Sequence, residues 1–151
     1  MRQRFTEAMK EAMKAGDKPR LSTVRMIQAA LKDKDIEARG AGRGQATEEE
    51  ILGLLQKMIK QRQESVAIYA QAGRQELADQ ERAEIAVIQG FLPQQLDEGE
   101  TRAAIEAAIA ETGAASMKDM GKVIAALRGK HAGQMDFGRA SALVKEMLPR
   151  G

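Results

Sequence analysis

Residues 47–92 restrict the fold more than any other stretch of this chain. They open with Thr47-Glu48-Glu49-Glu50, where Thr47 can accept from the first-turn amides and Glu50 can reach back to the backbone. The three carboxylates also face the positive end of the helix dipole. Apolar residues then recur at Ile51, Leu55, Met58, Val66 and Tyr69 with the period of a helix. Only Gly53 interrupts before Gly73, so a single helix of about 38 Å is expected. Beyond Gly73 a second run, Leu77, Ile85, Ile88 and Leu92, keeps the period and stops at Pro93. Two such helices joined at one glycine read as a long antiparallel hairpin. Arg62 and Glu81 stand on its apolar stripes where hydrocarbon is expected. A turn near Gly73 would bring Arg62 opposite Glu81 and Glu84. A partly buried ion pair with one of these acids is therefore expected, structural rather than catalytic.

The rest of the chain has to pack on that hairpin with few large residues. It has no Trp, one Tyr and three Phe among 151 residues, so Leu, Ile, Val, Met and Ala must build the core. Abundant Ala, many charges and three prolines point to an all-α protein. The absence of cysteine excludes a disulfide framework, a thiol nucleophile and a thiolate metal site. No apolar run approaches a membrane span, and the opening Met-Arg-Gln-Arg lacks the apolar segment of a signal peptide. A cytoplasmic protein with no membrane association is the expectation.

Around the hairpin the order is simple. Phe5, Ala8, Met9, Ala12 and Met13 make one face of a first helix stopped at Gly16. Asp17 caps a second, with Pro19 in its first turn and Leu21, Val24, Ile27 and Leu31 inward. Methionines on these faces read as core filling rather than a binding surface. The glycine cluster at residues 40–44 follows a helix and precedes an acid-rich helix start. It therefore reads as a connector, not a phosphate loop. After Pro93, Asp97 and Glu100 start a helix carrying Ile105, Ala108 and Ile109, ending near Gly113. Ser116 and Asp119 start another, with Met117, Met120, Val123, Ile124 and Leu127, expected to fade at Gly129. Asp136 caps the last, with Phe137, Ala140, Val144 and Met147 inward and Pro149 at its end. The expected organisation is an N-terminal helical domain, residues 1–93, and a small three-helix bundle, residues 97–151.

Charge alternates along this order. Net charge is +5 over residues 1–46, −3 over 47–92, −4 over 93–119 and +4 over 120–151. Either the segments attract one another within the fold, or a basic surface meets a polyanion.

Several motifs, in order and with matching spacing, resemble the GatB/YqeY family. They are RLSTVR at 20–25, KQRQES at 60–65, AGR at 72–74, Glu81 and Glu84, FLPQQL at 91–96, KDMGKV at 118–123 and the ending at 133–148. The resemblance covers nearly the whole chain. It implies an N-terminal antiparallel helical domain and a C-terminal bundle similar to the tail of the B subunit of the glutamine-dependent aspartyl/glutamyl-tRNA amidotransferase, which there helps hold tRNA. Gln134 and Gly138 stand where the family commonly has basic residues, and Arg139 where it commonly has an apolar one.

The residues themselves offer little for catalysis. His131 is expected beyond a helix end, exposed and without an orienting carboxylate. One histidine with scattered acids gives no metal-ligand spacing, and no cofactor is implied. The Gly/Ser-rich amidase signature and a nucleotide loop are both missing. The carbon–nitrogen ligase label, with glutamine as amide donor, would therefore come from the family rather than these residues. Two readings remain. One is a non-catalytic tRNA-associated module, with Lys122, Arg128, Lys130, Arg139 and Lys145 contacting phosphates. The other is a helical module docking on a protein of the translation or aminoacylation machinery.

Overall fold

The computed structural model describes residues 1–148; the stop expected at Pro149 lies outside the described residues. The described chain is all-helical, with α1 (Arg2–Ala15), α2 (Lys18–Gly40), α3 (Glu48–Gln71), α4 (Gln75–Gln89), α5 (Glu98–Thr112), α6 (Met120–His131) and α7 (Phe137–Met147). A single 3₁₀ turn, Met117–Asp119, leads into α6. The chain divides into two compact units, Met1–Leu92 and Pro93–Gly151.

In the first unit the caps follow from sequence chemistry. The Thr47 side chain accepts from the Glu50 amide at 3.1 Å and Glu50 accepts from the Thr47 amide at 3.2 Å, closing the box that starts α3. Asp17 accepts from the Arg20 amide at 3.1 Å to start α2. At the far end of α3 the Arg74 amide bonds the Tyr69 carbonyl at 2.8 Å, with Gly73 at φ 73°. Only glycine enters that left-handed region at no steric cost, so the chain reverses there and α4 returns along α3.

Phe5 and Ala8 from α1, Val24 and Ile27 from α2, Ile51, Leu55 and Met58 from α3, and Ile88 and Phe91 from the end of α4 form one core. Phe5 meets Phe91 edge to face at 4.9 Å. Each fully buried Ile or Leu contributes about 1.5–3 kcal/mol. Core burial on α3 stops at Ile59. Val66, Tyr69 and Leu77, expected on the inward stripe, are half-buried, and Ile68 is 65% exposed. Helical period marks a face, but only neighbouring elements bury it, and here α3 and α4 cover that length mainly with each other. Met13 departs for the same reason: it is 55% exposed in the last turn of α1.

The second unit packs Ile105, Val123, Leu127, Ala140 and Val144 at its centre. Two details differ from expectation. Helix α6 does not fade at Gly129 but runs to His131. A helix-interior glycine costs about 1 kcal/mol, less than the burial of Val123 and Leu127 returns. Residues 94–96, expected as connection, are stitched to the turn before α7. The Leu96 amide donates to the Gln134 carbonyl at 2.8 Å, and the Gln134 side chain donates to the Gln94 carbonyl at 3.1 Å.

Candidate functional site

The polar chemistry of the first unit gathers in two clusters. In one, α3 and α4 bring together Arg62, Glu81 and Glu84. Arg62 Nε donates to Glu84 Oε2 at 3.0 Å and lies 4.0 Å from Glu81 Oε2. Its other nitrogens reach the Met58 carbonyl at 3.1 Å and the Met26 sulfur of α2 at 3.6 Å. All three charged side chains are largely buried. Glu81 Oε2 is buried without a hydrogen-bond partner among the described residues. Burial pushes the Glu81 carboxyl above its ordinary value, the neighbouring Glu84 charge pushes further, and Arg62 opposes. One guanidinium thus serves two carboxylates and hydrogen-bonds only one of them.

The second cluster has no counterpart in the sequence reading. Arg2 forks onto Asp35 at 2.7 and 2.8 Å and donates to the Ala46 carbonyl at 3.1 Å. Asp35 in turn accepts from the Ala46 amide at 2.9 Å. The hydrogen bonds from Arg2 and Ala46 hold the Asp35 carboxyl well below its ordinary value. Three segments, the start of α1, the middle of α2 and the connector before α3, are pinned at one carboxylate. Beside it Arg43 pairs with Glu50, whose carboxyl is lowered chiefly by that bond and by the Thr47 amide. Arg4, in the same first turn of α1, donates to the Gly90 and Phe91 carbonyls at 3.0 and 3.2 Å with its guanidinium 5.4 Å from the Phe91 ring. No local pattern announces any of these contacts, because the arginine partners of α1 stand 33 to 87 residues away, and Asp35–Ala46 and Arg43–Glu50 pair across the connector between α2 and α3.

In the second unit Lys122, Arg128, Lys130, Arg139 and Lys145 are all exposed. Four of them meet different neighbours. Arg128 stacks 5.4 Å from the Phe137 ring of α7, whereas Lys130 turns to Glu111 of α5 at 2.6 Å. Lys122 lies 3.9 Å from Asp119, and Arg139 lies 3.9 Å from Glu98. His131, expected exposed beyond the helix, is instead half-buried in the last turn of α6, its Nδ1 2.9 Å from Gln134 Oε1. The turn that joins α6 to α7 brings that amide back over the ring. A cavity of about 290 Å³ lies between the starts of α5 and α7, lined by Leu96, Glu98, Gln134, Asp136 and Arg139 among others. The capping side chains Asp97 and Asp136 already satisfy the helix amides there. Among the described residues no His, Cys, Asp and Glu group could hold a metal ion, and no helix is long and apolar enough to cross a membrane.

One helical unit pinned by arginine–carboxylate contacts and a second carrying exposed cations define a helical module. The chain belongs to the Yqey-like protein family, whose model matches residues 2–148. It is similar to the protein named "Altered inheritance of mitochondria protein 41, mitochondrial" of Pyrenophora tritici-repentis, 33% identical over 88 residues, covering 58% of this chain and 46% of that protein. The protein of the same name from Vanderwaltozyma polyspora is 31% identical over 96 residues, covering 59% and 50%. The chain spans about half the length of the curated relatives it matches.

Proposed function

We propose that this protein is a non-catalytic, tRNA-associated accessory module whose C-terminal unit is related to the tRNA-holding tail of the glutamine-dependent amidotransferase. The observation that carries the reading is the exposure of Lys122, Arg128, Lys130, Arg139 and Lys145 on that one small unit. Their carboxylate neighbours Asp119, Glu111 and Glu98 do not disqualify them. Surface ion pairs are worth about 0–1 kcal/mol, and a phosphate can replace such a partner. Binding is expected to be weak and strongly salt-dependent, because no aromatic platform accompanies the cations. The partner protein in this reading belongs to the translation or aminoacylation machinery, and its compartment is the cytoplasm; the fungal relatives carry "mitochondrial" in their names.

The test is tRNA binding by the full chain, followed by fluorescence anisotropy across a salt series. Arg128→Glu with Lys130→Glu is expected to weaken tRNA binding more than Lys10→Glu with Lys14→Glu on α1. Equal losses would mean attraction to charge alone and would end the reading. A second reading, a protein-docking module, is favoured by the exposed Ile68 on the outer length of α3. A protein partner whose capture survives RNase treatment would put it ahead.

A further inference from the structure

Helix α2 carries a feature that extends well beyond the Asp35 cluster. Lys18, Arg25, Lys32 and Arg39 recur every seventh residue, and all four are exposed. Seven residues are nearly two turns, so each cation stands about 10.5 Å beyond the last, with a drift of only about 20°. Ser22, Ala29 and Ile36 fill the intervening positions of the same stripe and are exposed too. The row is therefore a straight face about 31 Å long.

Among the described residues that face carries no ion pair, although Arg39 stands near enough to Asp35 for its charge to help lower that carboxyl. No carboxylate of the described residues lies within ion-pair distance of any of the four cations. Among the acids of α2, Asp35 is forked by Arg2 and also feels the Arg39 charge, Glu37 pairs with Lys34 at 3.6 Å, and Asp33 sits at the edge of the row. Two open depressions flank it. One of about 570 Å³ is lined by Lys18, Leu21, Ser22, Arg25, Met26 and Ala29; the other, of about 350 Å³, takes in Lys32, Ile36 and Arg39 and reaches the Arg2–Asp35 pair.

We infer that the α2 row is a docking face for double-helical nucleic acid, gripped through its phosphates. A duplex presents a charge every few ångströms along its axis, so cations about 10.5 Å apart on a rigid rod each meet one. The row is about as long as one duplex turn, roughly 34–36 Å. Its chemistry disfavours other polyanions. Ile36 is the one large apolar side chain of α2 that is exposed, with Leu21 and Met26 only half-exposed beside the row, too little to insert into a lipid surface. No exposed aromatic is present on α2 to stack unpaired bases. Ser22 and Ala29 between the first three cations let a backbone approach closely, and four point-like contacts carry no sequence readout. The inference shares the nucleic-acid chemistry of the proposed function but places it on the other unit.

The experiment titrates a fluorescent 24-base-pair RNA duplex with full-length protein from 50 to 200 mM salt. The row variant carries Lys18→Gln, Arg25→Gln, Lys32→Gln and Arg39→Gln. A charge-matched control carries Lys10→Gln, Lys14→Gln, Lys57→Gln and Arg74→Gln, all exposed in the first unit. Circular dichroism checks that both stay helical. The row variant is expected to lose at least about tenfold in affinity and to flatten the slope of log K against log salt by about 3 to 4, near 0.9 per contact. The control is expected to change by less than about threefold. Arg128→Glu with Lys130→Glu should leave duplex binding in place, so failure of the C-terminal reading and failure of this one are separable. Equal loss in the control, an unchanged row variant, no duplex binding at 50 mM salt, or tighter binding to phosphatidylserine vesicles or polyglutamate than to the duplex would each overturn the inference.

Discussion

The Arg2–Asp35 and Arg62–Glu84 clusters use the same two functional groups and reach opposite balances. At Asp35 one carboxylate faces one guanidinium and one amide, and each hydrogen bond has its partner. At Arg62 one guanidinium faces two carboxylates, leaving a buried Glu81 oxygen without a hydrogen bond. The first cluster depresses its acid and the second raises one of its own. The number of donors delivered to each carboxylate, rather than the kind of residue, decides whether a buried charge strengthens the fold or strains it.

Removing the arginines breaks this comparison most sharply. Arg62→Ala leaves two partly buried carboxylates facing each other, and unfolding in denaturant should show a loss of about 3 kcal/mol. Arg2→Ala should cost less, because Arg2 is 36% exposed and water can take over part of its role at Asp35. Arg2→Lys should recover only part of the loss, since an ammonium cannot fork onto both carboxylate oxygens. Were Arg2→Ala the more damaging variant, the balance argued here would be reversed.

The smallest expected effect is the most specific. The raised Glu81 carboxyl holds its proton in the folded state above the pH where the unfolded chain, near 4.5, has released it. Its contribution to stability is therefore present in acid and falls as pH rises from about 4.5 through the folded value. Asp35 behaves in the opposite sense. Its lowered carboxyl contributes fully above its ordinary value of 3.8, and the contribution is lost as pH falls toward the folded value. Glu81→Gln should flatten the decline above pH 4.5 in thermal melts while leaving the acid limb unchanged. Asp35→Asn should do the reverse. Identical pH profiles for the two variants would show that the clusters do not differ as described.

Much of this protein was legible before any coordinate. The capping boxes at Thr47 and Asp97, the αL stops at Gly16 and Gly113 and the proline in the first turn of α2 are local chemistry, and local chemistry is written within a few residues. Helical period likewise marked Ile51, Leu55, Met58, Val123 and Leu127 as inward. The family match over residues 2–148 agrees with the motifs spread along the chain. What lay outside reach was anything set by long-range approach. Burial that ends at Ile59, the continuation of α6 through Gly129, the Arg2–Asp35–Ala46 junction and the neighbours that Arg128, Lys130 and Arg139 meet all depend on which elements meet. The spacing of Lys18, Arg25, Lys32 and Arg39 was on the page from the start. Only the tertiary structure decided that this face of α2 stays uncovered and unpaired, because burial and ion pairing belong to neighbours in space rather than to neighbours in sequence.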